Sequence, residues 1–109
     1  MTTMKNEKTF WIKIYASGPI EEAKQIIRKD VLERGLCVTI EPTTFIYTGW
    51  EEAGYVVGLI NYPRFPSYYG DVWDRALELA RKLLNGTYQH SILLMSPDET
   101  IWITDREDI

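Results

Sequence analysis

The sequence predicts an α+β protein: a ferredoxin-like βαββαβ antiparallel sheet with two helices on one face and an added C-terminal β-hairpin. Alternating apolar residues mark the strands, and two longer stretches carry apolar residues at helical spacing. The strand-helix-strand order occurs twice, and two right-handed crossover units pack most simply as one sheet with both helices on the same face. The other face of the sheet is left for solvent, for a second copy of the chain, or for a long hairpin.

The first strand and the first helix are predicted within residues 10–34. Phe10 to Ser17 alternates between two faces, as a half-buried strand does. Pro19 suits the first turn of a helix, because its missing N–H would have no helical partner there. An apolar stripe at helical spacing then predicts a helix from Ile20 to Arg34, which ends at Gly35.

The next two strands are predicted on either side of a turn rich in glycine. Alternation returns at Leu36 and continues to Pro42, which marks an edge, a bulge or a break, because proline removes a donor from the ladder of hydrogen bonds. The strand resumes over Thr43 to Thr48. The segment from Gly49 to Gly54 is predicted as the hairpin turn, and Tyr55 to Tyr62 as the third strand.

The second half of the chain repeats the pattern after a stiff connection. Two prolines exclude regular structure over Pro63 to Ser67. A broad apolar face predicts a helix over Asp71 to Leu84, with Asn85-Gly86 as its C-terminal stop. His90 to Ser96 and Thr100 to Thr104 are predicted to form the final hairpin.

Length and composition predict one soluble domain. A chain of 109 residues forms a single core, so residues 1–109 are predicted to be one α+β domain with flexible tails at 1–8 and 105–109. The polar N-terminus lacks the apolar core of a secretory signal, and the apolar runs are too short for a membrane helix. We therefore expect a cytoplasmic location and no membrane partner.

The residue inventory excludes several kinds of site. A net charge of −4 argues against a nucleic-acid partner, which requires clustered cations. Cys37 is the only cysteine, so it forms no intrachain disulfide and is expected to be a small packing residue. His90 is the only histidine, which excludes multi-histidine metal sites, and it is interpreted as structural. No catalytic residue, metal ligand or cofactor is predicted.

The loop framed by two prolines is the first candidate binding surface. Tyr62, Arg64, Phe65 and Tyr69 are predicted to be its anchors. Tyr and Arg are enriched at binding hot spots, where they offer large contact area. The alternative is that these rings plug the end of the core and that the guanidinium pairs with a nearby acid.

The hairpin tip is the second candidate. Trp50, Glu51 and Glu52 would bind a basic partner or a cationic ligand through the ring face and the carboxylates together. The alternative is that solvated acids lie beside a tryptophan that folds back on the sheet.

The segment from 54 to 66, GYVVGLINYPRFP, has the character of a family signature. It resembles small uncharacterised proteins of bacteriophages or their bacterial hosts. The resemblance covers about the central third of the chain. It implies an accessory protein and carries no assigned activity.

Two functional hypotheses from different classes follow. The leading one is an acidic protein-interaction module, an inhibitor or accessory protein that binds a protein partner through both candidate surfaces and self-associates through its sheet, for example as a homodimer. Glu51, Glu52, Asp98 and Glu99 would steer the encounter. The alternative is a small-molecule-binding domain or enzyme of ferredoxin-like fold, with His90, Tyr15 and Arg64 in a cleft between sheet and helices. A third hypothesis is a subunit of a closed ring.

Overall fold

The computed structural model describes residues 1–34 and 37–106. These residues form an α+β fold in the order βαββαββ, with one five-stranded antiparallel sheet and the strand order β2-β3-β1-β4-β5. The predicted ferredoxin-like class, with its C-terminal hairpin, is confirmed. The elements are β1 (Trp11–Ser17), α1 (Ile20–Arg34), β2 (Thr39–Tyr47), β3 (Trp50–Ile60), α2 (Tyr69–Gly86), β4 (Ser91–Met95) and β5 (Thr100–Thr104).

The hydrophobic core lies between the sheet and the two helices. Every second residue of β1, namely Ile12, Ile14 and Ala16, is buried beneath them. Ala23 and Ile27 of α1 face the same core, as the helical spacing predicts. Only one face of the sheet is therefore used for packing. The buried side of α2 supplies Val72, Ala76, Leu79, Ala80, Leu83 and Leu84.

A network of charges joins the two helices near the C-terminal end of α1. Asp30 is 5% exposed and accepts a hydrogen bond from Lys82 Nζ at 2.7 Å. Arg34 Nε lies 3.3 Å from Asp30 Oδ1, and its guanidinium also forms an ion pair with Glu78. Because Glu78 accepts this charged hydrogen bond, its pKa is lowered. The network fixes how α1 and α2 lie against each other.

The first long strand runs through its proline without interruption. Pro42 lies inside β2, paired with Tyr55. Of the three alternatives expected for Pro42, the edge position is the one observed: β2 is an edge strand, where a residue without an N–H need not disrupt the sheet.

The predicted hairpin turn from Gly49 to Gly54 is wrong in extent. The turn comprises Thr48 and Gly49, whose φ of +94° suits glycine, and β3 begins at Trp50. Gly54 lies inside β3, paired with both Ser17 and Thr43. Trp50, Glu51 and Glu52 are thus strand residues rather than turn residues.

Other boundaries differ by a few residues. The helix predicted over Asp71 to Leu84 is longer and includes Tyr69 at its start and Gly86 at its end. Cys37 is exposed, so its predicted packing role is wrong. The predicted helix stop at Gly35, the strand start at Leu36 and the tail residues 107–109 lie outside the described residues. No helix in the described part of the chain is long and apolar enough to cross a membrane.

Candidate functional site on the open face of the sheet

The face of the sheet opposite the helices carries a groove of about 340 Å³. Successive side chains of β1 point to opposite faces of the sheet. Tyr15 and Ser17 therefore lie on the face of the groove, away from the face that holds Ile14 and Ala16. The groove crosses several strands, and four of its lining residues are aromatic. Its lining comprises Tyr15, Ala16, Ser17, Phe45, Tyr47, Ser91, Ile92, Leu93, Met95 and Trp102.

A glycine shapes one wall of this open-face groove. A Cβ atom built on Gly54 would collide with the Phe45 ring and with the backbone oxygen of Ala16. Glycine at position 54 therefore lets the Phe45 ring lie across the neighbouring strand. The same close approach brings Phe45 beside Tyr15 and Ser17 in the groove.

A carboxylate lies at the rim, held by an aromatic residue of the groove. Tyr47 Oη donates a hydrogen bond to Glu52 Oε1 at 3.0 Å. Acceptance by Glu52 raises the pKa of the Tyr47 phenol, and Arg106 acts weakly in the opposite direction. The Trp50 ring, 65% exposed, lies 5.7 Å from the Tyr47 ring. Two rings beside one carboxylate are a chemically suitable environment for an organic cation.

Polar groups near the start of β4 border the other side of the groove. Ser91 Oγ donates to Thr104 Oγ1 at 2.9 Å. His90 Nδ1 lies 3.0 Å from Asp105 Oδ1, with both side chains exposed, and the Asp105 N–H donates to the His90 carbonyl. Asp105 thus supplies a carboxylate that orients the His90 ring, and it lies in a segment predicted to be a flexible tail.

The two predicted binding surfaces lie at opposite ends of β3. Trp50, Glu51 and Glu52 begin the strand, and the proline loop follows its last residue, Ile60. At about 3.3 Å per residue, the ten steps along β3 span roughly 33 Å. One small ligand cannot contact both ends.

The aromatic loop residues divide further between exposed rings and one half-buried ring on α2. Tyr62 and Phe65 are exposed, with ring centroids 6.0 Å apart, and Arg64 Cζ lies 5.3 Å from the Phe65 ring. Tyr69 belongs to α2, where its ring packs against Phe10. Tyr69 Oη donates to Ser96 Oγ at 2.9 Å, so its role here is to attach α2 to the sheet.

The trio proposed for the alternative hypothesis does not converge. Tyr15 lines the open-face groove instead of a cleft between sheet and helices, because its direction along β1 is opposite to that of Ile14. His90 directly precedes β4 and lies next to the groove residue Ser91. Arg64 follows the far end of β3 and does not line the groove.

Most of the groove was not predicted from the sequence. Tyr15 was a candidate, but Phe45, Tyr47, Met95 and Trp102 were not brought together with it. Alternation in each strand carries that signal, but combining the strands requires their order. The part of the chain that the structure describes contains no group of three or more His, Cys, Asp or Glu side chains suited to hold a metal ion.

No family model matches the chain, and no curated protein matches its sequence. Solved structures share its architecture. A phage SAM lyase in complex with S-methyl-5′-thioadenosine matches with a TM-score of 0.77 and 14% identity, over 100% of this chain and 99% of that chain. A phage SAM lyase in the apo state matches with a TM-score of 0.70 and 15% identity, over 96% and 98%. The periplasmic divalent cation tolerance protein CutA from Archaeoglobus fulgidus gives 0.49 and 17%, over 82% and 81%. The chain is thus structurally similar to a phage protein, and at these identities the similarity concerns the fold.

Proposed function

We propose that this protein is an enzyme that binds S-adenosylmethionine in the open-face groove and acts on it as a lyase. The observation that carries the proposal is the aromatic groove with the Tyr47–Glu52 pair at its rim. The full-length similarity in fold to phage SAM lyases supports the choice of ligand. The proposal develops the small-molecule alternative and keeps Tyr15 as a site residue.

The ligand and the groove are complementary in charge and shape. S-adenosylmethionine combines a flat purine with a sulfonium cation. Aromatic rings such as Tyr15 and Trp102 offer stacking surfaces to the purine, and a sulfonium is attracted to ring faces and to the Glu52 carboxylate. The volume of about 340 Å³ is at the lower end of the range for small-molecule sites.

The apolar part of the groove lining, formed by Phe45, Leu93 and Met95 and called the floor below, has a role in the reaction itself. As an oxygen of the substrate's own carboxylate bonds to the methionyl Cγ and closes a lactone, the bond from Cγ to sulfur breaks; sulfur keeps that electron pair, and the cation becomes a neutral thioether, as in S-methyl-5′-thioadenosine. Leu93, Met95 and Phe45 provide a surface on which a concentrated positive charge is poorly solvated. Such a surface disfavours the cationic substrate relative to a transition state that is losing its charge. The rim carboxylate then serves binding, and the floor serves cleavage.

A product assay tests this proposal. The full chain is incubated with S-adenosylmethionine, and S-methyl-5′-thioadenosine is quantified by mass spectrometry. We expect product from the native protein, a strong loss with Trp102→Ala, and native activity with Phe65→Ala, which removes an exposed ring outside the groove. Absence of both product and binding by the native protein would refute the proposal.

Self-association through the sheet is proposed as part of the same arrangement. Trp50 and Ile60 share one face of β3, do not line the groove, and are 65% and 50% exposed, and a second copy would cover such apolar surface. Light scattering on the purified protein measures the molar mass directly. A monomer at working concentration would remove this part of the proposal and leave the groove unaffected.

Binding of a protein partner is the second candidate function. The exposure of Trp50 and of Phe65, 65% and 56%, favours it, because exposed rings are frequent anchors. Replacing both by Ala is expected to leave the fold intact and to abolish co-purification with a partner from the native host. Unchanged co-purification would exclude these rings as anchors.

A further inference from the structure

A second cavity, of about 650 Å³, lies at the end of the sheet where β1 begins and β3 ends. It shares no lining residue with the open-face groove. We propose that this end cavity is a separate binding site for a primary amine with a flat aromatic body. The proposal does not depend on the proposed lyase activity.

The walls of the end cavity are tied together by hydrogen bonds, so the site is formed before any ligand arrives. Asn61 Nδ2 donates to the Lys8 carbonyl at 2.8 Å, and the Ser67 N–H donates to Asn61 Oδ1 at 3.1 Å. One side chain thereby holds the N-terminal segment against the proline loop. On the opposite wall, the bond from Tyr69 Oη to Ser96 Oγ holds α2 against the β4–β5 turn. A preformed cavity with mixed polar and apolar walls is the usual form of a small-molecule site.

Aromatic and proline surfaces make up the apolar part of the lining. Phe10 and Tyr69 contact each other edge to face, with centroids 5.5 Å apart, and Tyr68 is 84% exposed beside them. Pro66 and Pro97 add two rigid surfaces. Such walls accept a flat ring at little entropic cost.

The charges of the lining select a cation. Glu7 and Asp98 contribute two carboxylates and Lys8 one ammonium group. Within residues 1–34 and 37–106 no ion pair engages either carboxylate. Asp71 in the first turn of α2 offsets the positive end of that helix, which begins at the cavity. Carboxylates beside aromatic faces attract an ammonium group, and two carboxylates against one ammonium group leave the lining net negative, which favours a cation over an anion.

Titration of the full chain with tyramine and with its neutral isostere 4-propylphenol tests the inference. Amide chemical shifts report both the location and the affinity of binding. We expect tyramine to shift Phe10, Asn61, Ser67 and Asp98 with a dissociation constant of about 1 mM or tighter. We expect 4-propylphenol to bind up to about fivefold more weakly, because it lacks the charge.

Matched variants distinguish the loss of a charge from a loss of structure. Asp98→Asn is expected to weaken the binding of tyramine about fivefold. Glu99→Gln, which removes a neighbouring carboxylate outside the lining, is expected to change nothing, and Lys8→Ala is expected to leave binding equal or stronger. Equal affinity for the two probes, indifference to Asp98→Asn, or shifts confined to the open-face groove would each overturn the inference.

Discussion

The two faces of the sheet differ in what their side chains are used for. Ile12 and Ile14 on the helix face are fully buried, and each contributes to one core. Tyr15 and Ser17, on the same strand, line an open groove. The side chains of the helix face thus stabilise the fold, whereas the open face has rings and hydroxyl groups available for a ligand. We therefore expect the ligand-binding site on the open face, where the side chains are not buried in the core.

The strongest way to break this comparison is to truncate adjacent residues on opposite faces. Ile14→Ala is expected to lower the free energy of unfolding by about 2–5 kcal/mol, because it leaves a cavity in the core. Tyr15→Ala is expected to cost much less and to abolish binding of S-adenosylmethionine. Urea denaturation measures both costs. Equal destabilisation by the two changes would mean that the open face is also structural.

Alanine substitutions at Gly54 and Gly70 test the shape of the open face. Gly54→Ala forces the Phe45 ring away from its neighbour strand, so we expect a loss of about 1–3 kcal/mol together with loss of ligand binding. Gly70→Ala is the matched control, since nothing lies within 4 Å of the added Cβ and alanine favours the helix. It is expected to be neutral or stabilising in the same denaturation measurement. A harmless Gly54→Ala would contradict the shape assigned to the groove.

Charge at the rim gives a smaller effect. Glu52→Gln is expected to weaken the binding of S-adenosylmethionine about fivefold in calorimetric titration, because it removes a carboxylate near the sulfonium. The binding of S-adenosylhomocysteine, which has a neutral sulfur, should be weakened less. Glu51→Gln is the control, because adjacent strand residues point to opposite faces. Equal losses for the two ligands would show that Glu52 does not recognise the sulfonium.

The smallest predicted effect concerns the helix face. The pKa of Glu78 is lowered by Arg34, so its contribution to stability is present above the ordinary glutamate pKa of about 4.3 and is lost as the pH falls further. Glu78→Gln should therefore lower the melting temperature slightly at neutral pH, and the difference should vanish in acid. Thermal melts across that range provide the measurement. A difference that persists unchanged in acid would exclude the ion pair as its source.

Local patterns predicted much of this architecture. The alternation around Ile14 gave β1, and the stripe through Ala23 and Ile27 gave α1 with its observed bounds. These signals are local, since each depends on a single element facing one core. The open-face groove was harder to predict from the sequence. Phe45 and Trp102 come to the same groove only through the strand order and through the missing side chain of Gly54. Gly54 was misinterpreted as a turn residue, since glycine favours both turns and close packing.

The central claim is that the open face of the sheet holds the ligand. Amide and methyl chemical shifts of the full chain, titrated with S-methyl-5′-thioadenosine, test it most directly. We predict shifts at Ser17, Leu93, Met95 and the Trp102 indole, with Phe65 unaffected. Shifts confined to the proline loop and the end cavity, or no shifts at saturating ligand, would contradict it.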